Sequence, residues 1–126
     1  MKKTYKRHIT GKMGEDLAIE YLKGKEYKII ERNFQCKQGE IDIIAKDKGE
    51  LVIIEVKTRN SLDYGKPAES ITNIKKNHIY KTAQYYLYIN DLEDIYVRID
   101  VIEVYMKSNK YFINHIKNVD IWNYKL

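Results

Sequence analysis

The residue order predicts an α/β domain, one mixed β-sheet flanked by helices in the order αβββαββ. Three observations carry this. Two segments, near 10–25 and 72–89, repeat apolar residues at helical spacing. Three consecutive β-rich runs lie between them, the last two joined by Asp47-Lys48-Gly49-Glu50. An alternating, β-branched run follows the second helical segment.

Each element has its own warrant. Residues 1–9, with Lys2, Lys3, Lys6 and Arg7, are expected to form a flexible basic arm, and residues 10–126 a single domain. Thr10 is the expected N-cap of a helix running to Lys25, with Met13, Leu17, Ala18, Tyr21 and Leu22 on one side. Gly11 and Gly14 lower helix propensity and suggest close approach of the backbone to another element. Strands are expected over Tyr27–Phe34, Glu40–Lys46 and Leu51–Lys57. The third is apolar almost to its end, as a strand buried on both faces would be. Asn60–Pro67 reads as a loop. A second helix is expected over Thr72–Ile89, with Ile71, Ile74, His78, Ile79, Ala83, Tyr86 and Leu87 on one stripe. Strands over Tyr96–Tyr105 and Lys110–Ile116 complete the sheet.

Composition bounds the function. The chain has 126 residues, 44% hydrophobic and 33% charged, enough for one modest core. No apolar run spans a bilayer, and no apolar stretch follows the basic start, so a cytoplasmic location is the default expectation and no membrane partner is expected. One cysteine, Cys36, excludes an internal disulfide framework and a multi-cysteine zinc site. A net charge of +5 favours a polyanionic partner such as nucleic acid. His8, His78 and His115 lack zinc-like spacing, and His78 is expected on the buried stripe.

The chemistry concentrates on the second and third strands. If Lys48 and Gly49 are the central turn residues, Asp47 pairs with Glu50 and the ladder is set. Asp42 then lies opposite Glu55, and Glu40 opposite Lys57. On the other face Ile41 meets Val56, Ile43 meets Ile54, and Ala45 meets Val52. A one-residue slip would mix the faces. Two facing carboxylates tolerate each other around a shared proton or a divalent cation, and their oxygen donors suit Mg²⁺ or Mn²⁺. Lys57 would point at the same water or phosphate. A charged pair at the end of the Leu51–Ile54 run is costly without a purpose.

These residues resemble a family. Asp42 and Glu55-Val56-Lys57 match the PD-(D/E)xK nuclease signature, with Ile41 where the nominal proline would stand. The wider string is Gly11-x-x-Gly14-Glu15-x-x-Ala18, Asn33-Phe34, Gly39 to Ile44 and Glu55 to Arg59. With Lys75 and Arg98-x-Asp100-Val101, it resembles the YraN family of bacterial proteins. That resemblance implies a restriction endonuclease-like fold, similar in layout to archaeal Holliday junction resolvases. It implies a metal-dependent DNA endonuclease, or a nucleic-acid-binding module of the same fold with little cleavage. By analogy with resolvases it implies a homodimer.

Carried over residue by residue, Asp42 and Glu55 would ligate metal and Lys57 would serve catalysis. Glu15 matches the helix carboxylate of the resolvase-like branch, about 20° from Leu22 on the wheel. It is either a third metal ligand or a first-turn glutamate stabilised by the helix N-terminus. Lys75 would contact phosphate, Arg59 and Thr58, directly after Lys57, either contact nucleic acid or form a solvated strand end, and Glu40 would flank the site or pair with Lys57. Arg98 and Asp100 share a strand face and are expected to pair structurally.

Overall fold

A type I′-like hairpin organises the sheet. Lys48 and Gly49 both have positive φ, 49° and 88°, the conformation whose twist matches paired strands. The computed structural model describes the backbone of residues 3–60 and 73–119, and side chains within 11–60 and 74–119. Its elements are α1 (Lys3–Gly24), β1 (Lys28–Cys36), β2 (Gly39–Asp47), β3 (Glu50–Asn60), α2 (Asn73–Ile89), β4 (Val97–Lys107) and β5 (Lys110–Ile116). The order αβββαββ is as expected. The five strands form one mixed sheet in the order β1-β2-β3-β4-β5. Only β3 and β4 are parallel, and α2 lies between them in sequence, as a parallel crossover requires. This is the layout of a restriction endonuclease-like core.

Two apolar layers sandwich the sheet. Ala18, Ile19 and Leu22 of α1 pack with Ile43, Ala45, Val52, Ile54, Ile102 and Val104. On the opposite face, Ile79, Ala83 and Tyr86 of α2 pack with Ile44, Leu51, Ile53 and Ile99. Burying each large aliphatic side chain contributes roughly 1.5–3 kcal/mol. No helix among the described residues is long and apolar enough to cross a membrane.

Helix α1 begins at Lys3, so Thr10 lies within it rather than at its N-cap. Gly14 makes the close approach expected of it, because a Cβ there would collide with Thr58 of β3. Gly11 faces open space. Met13, expected on the buried side, is exposed. The buried stripe of α2 is Ile79, Thr82, Ala83 and Tyr86, spaced i, i+3, i+4, i+7. Ile74 and His78 fall off that stripe and face outward, which corrects the expectation for both. Residues 61–72 of the expected loop and helix start, and the basic side chains of residues 2–7, lie outside the described residues.

Candidate functional site

The pairing of β2 with β3 follows the expected register from Asp47↔Glu50 to Ile43↔Ile54 and stops there. Beyond that point β2 stays with β1, through Phe34↔Ile41 and Gln35↔Glu40. Strand β3 stays with β4, through Glu55↔Val101 to Asn60↔Met106. The sheet therefore forks where Asp42 and Glu55 would face each other. Three expected pairings fall inside the fork and are not made, and the first is the ladder pairing of Asp42 with Glu55. Ile41 does not meet Val56, and Glu40 pairs with Gln35 instead of Lys57.

The fork follows the packing of β2 against the two helix layers. Ile41 packs with the α2 layer while Ile43 packs with the α1 layer. Simple alternation would put both on one face, so β2 rotates at Asp42. The residue flanking the same point on β1, Asn33, has φ 52°, a left-handed conformation that turns that strand as well. Continued ladder bonding would bring the Val56 amide to Ile41. Instead the Val56 N–H donates to Asp42 Oδ2 at 2.8 Å. One carboxylate oxygen thus replaces a backbone acceptor and locks the Asp42 side chain into the fork.

Glu55 is buried at the same place. Burial, then the charge of Asp42, pushes its carboxyl up to about 7, against the opposing pull of Lys75. Burial also raises Asp42, with a further push from Glu40, against hydrogen bonding from the Val56 amide and Glu55 and the charge of Lys75. Around pH 7 Glu55 divides between a protonated form, which donates to Asp42, and an ionised form, which pairs with Lys75. Lys75 Nζ from α2 lies 3.1 Å from Glu55 Oε2. The resemblance suggested a phosphate contact for Lys75, and its ion pair with Glu55 was not foreseen.

The other candidates spread around this pair. Alternation puts Lys57 and Arg59 on the face of Glu55. Arg59 Nε donates to Glu103 Oε2 at 2.6 Å, and Asn114 Nδ2 donates to Glu103 Oε1 at 2.8 Å. Arg59 Nη2 is buried without a hydrogen-bond partner. Glu103 is buried in the apolar run Val101–Tyr105, the same signal that drew attention to Glu55, and sequence reasoning missed it. Thr58 points the other way, against Gly14 under α1. Glu15 lies beside the fork but is held 3.7 Å from Arg32, with Asn33 as a further hydrogen-bond partner. Burial, then the charges of Asp42 and Glu40, raises its carboxyl, and Arg32 and Asn33 oppose this. Among the described residues no three acidic, histidine or cysteine side chains converge as a preformed metal cage. Two oxygen donors converge, at Asp42 and Glu55, and they fit a hard divalent cation in place of the Glu55 proton. A cleft of about 710 Å³ opens beside them, lined by Lys12, Glu15, Arg32, Asn33, Gln35 and Glu40.

With this geometry in view, the family model described as "Uncharacterised protein family UPF0102" matches residues 14–104, a span that includes the fork and both helix–sheet layers. The chain belongs to the UPF0102, or YraN, family. A UPF0102 protein of Clostridium botulinum (strain Hall) is 52% identical over 111 residues, covering 86% of this chain and 90% of the relative. A UPF0102 protein of Persephonella marina is 50% identical over 110 residues, covering 87% and 91%. The likeness of this UPF0102 chain to its relatives thus runs across almost the whole fold.

Proposed function

We propose that this protein is a divalent-metal-dependent DNA endonuclease that hydrolyses phosphodiester bonds, with branched or damaged DNA as its substrate class. The observation that carries the reading is the Asp42–Glu55 pair in the fork. Two surface carboxylates would turn apart, whereas these are buried together and one is bound to the Val56 amide. Asp42 and Glu55 would hold Mg²⁺ or Mn²⁺ through carboxylate oxygens. Bound there, the cation would supply activation of water and neutralisation of charge at the phosphate. Lys57, on the face of Glu55, orients the attacking water or takes up charge on the phosphate. Arg59, anchored by Glu103, offers its orphaned Nη2 to a phosphate oxygen. Lys75 reaches the same phosphate once Glu55 no longer holds it. The +5 charge supports a polyanionic substrate.

The test is cleavage of end-labelled single-stranded, duplex, flap and four-way junction DNA with Mg²⁺ or Mn²⁺. Wild-type protein is expected to cut, and Asp42→Ala and Glu55→Ala to lose cutting. Lys57→Ala is expected to slow it by about 10²–10⁴-fold, the range of a lost proton-handling group. Equal cutting by all the proteins would overturn the site assignment. A second reading, a nucleic-acid-binding module, is favoured by the Lys75–Glu55 ion pair, which satisfies the site without a metal. It predicts no cutting by wild type, with DNA binding retained in Asp42→Ala.

A further inference from the structure

The end of the sheet remote from the fork holds a second cavity, of about 550 Å³. It opens between the C-terminal end of α1, the β2–β3 turn and the segment after β5. Lys25, Lys48 and Lys117 line it, one from each of these places. Each backbone position is held. The Lys25 amide donates to the Tyr21 and Leu22 carbonyls at 3.1 and 3.0 Å. Lys48 occupies a positive-φ turn position that usually takes asparagine, aspartate or glycine. Lys117 precedes Asn118, whose amide donates to Asp100 Oδ1 at 2.9 Å.

The carboxylates at this end are already committed. Arg98 lies 2.9 Å from Asp47, 3.1 Å from Glu50 and 3.2 Å from Asp100. Asp100 also takes His115 Nε2 at 2.7 Å. Among the described residues the three lysines have no ion pair, and Lys25 Nζ only lies over the Tyr21 ring, 5.9 Å from its centroid, so no carboxylate neutralises them. The polar floor is fixed as well. His115 is held from both sides, with Nε2 2.7 Å from Asp100 Oδ2 and Nδ1 2.9 Å from the Tyr21 hydroxyl. The Tyr27 hydroxyl accepts from Arg98 Nη2 at 2.6 Å, which leaves its own proton as a donor.

We propose that this cavity binds a phosphomonoester, a dianion with acceptor-only oxygens, carried on a nucleotide or on the phosphorylated end of a nucleic-acid strand. Three ammonium groups suit two negative charges better than the single charge of a diester. The volume suits a nucleotide-sized ligand. Asp47, at this cavity, lies roughly 17 Å along β2 from Asp42, so the proposal stands apart from the nuclease reading.

The experiment is a titration of the ¹⁵N-labelled full chain followed by ¹H–¹⁵N NMR at constant ionic strength. The probes are AMP, adenosine, and an oligothymidylate with and without a 5′-phosphate. AMP is expected to shift amides around Lys25, Lys48 and Lys117 saturably, and adenosine to leave them unmoved. Lys48→Gln/Lys117→Gln is expected to weaken AMP at least about tenfold, with amides around Asp42 unchanged. A phosphorylated strand binding more tightly than AMP assigns the site to strand ends, and the reverse assigns it to free nucleotide. Failure of both AMP and the phosphorylated strand to shift these amides overturns the proposal. So does unchanged affinity in the double variant, or equal binding of adenosine.

Discussion

Glu55 sits where its charge is least welcome, between buried apolar residues and a second carboxylate, and its carboxyl titrates near 7 for that reason. The consequence for stability has a definite sign. Below the ordinary glutamate value of 4.5, Glu55 is protonated in folded and unfolded chains alike. Between 4.5 and about 7 the unfolded chain releases the proton while the folded chain keeps it, so stability falls as pH rises. Above about 7 the deficit is constant. Glu55→Gln removes it. The variant's advantage in thermal unfolding midpoint over wild type is expected to grow from pH 4.5 to about 7 and then level off. An advantage that shrinks over that window would mean that Glu55 is not held protonated by the fold.

The approach of α1 to β3 depends on Gly14, and the two glycines of the first helix separate packing from propensity. At Gly14 a methyl group meets the Thr58 side chain, so Gly14→Ala must turn the Thr58 hydroxyl away or move the helix off the strand. A loss of about 1–3 kcal/mol in urea unfolding is expected, the usual cost of overpacking. At Gly11 the same methyl meets nothing within 4 Å. Gly11→Ala should therefore stabilise by up to about 1 kcal/mol through helix propensity. Equal effects at both positions would contradict the close packing. The same scale explains the edge strand β1. It is mostly exposed, carries Glu31 and Arg32, and is crossed by the ion pair of Arg32 with Asp16 at 2.8 Å. Exposed charge of this kind discourages edge-to-edge pairing.

Across the whole molecule, Arg98 acts as a clasp. Its guanidinium joins β4 to the β2–β3 turn through Asp47 and Glu50, and to the α1–β1 connection through the Tyr27 hydroxyl. Asp100 completes the network. Burial alone would raise its carboxyl, but hydrogen bonds from His115, the Asn118 amide and Arg98, with the charge of Arg98, outweigh burial and hold it below the ordinary aspartate value. Arg98→Met leaves three carboxylates without their counter-charge. A loss of about 3–5 kcal/mol is expected, as for a broken buried pair, measured by urea unfolding at neutral pH. A loss below about 1 kcal/mol would reduce the clasp to a surface ion pair.

Short-range rules make much of this protein legible in its sequence. Hydrophobic periodicity located the helices and strands, because which residues are buried follows the local repeat. The Lys48-Gly49 turn set the β2–β3 register as far as Ile43↔Ile54, because turn geometry and side-chain alternation act over a few residues. That register brought Asp42 and Glu55 to the same point. The outcome there belonged to tertiary structure. The fork needs two strands to rotate at once, at Asp42 and at Asn33, and each rotation depends on the helix layer it packs against. The partner that tunes the pair, Lys75, comes from α2, and Glu103, which anchors Arg59, comes from β4. His78 turned outward because the buried stripe of α2 centres on Ile79 and Ala83, a phase set by the sheet it covers. Sequence by itself determined which residues could meet. Packing two helices on opposite faces of one twisted sheet decided which did, because long-range contacts depend on strand rotation and helix phase that no local pattern encodes.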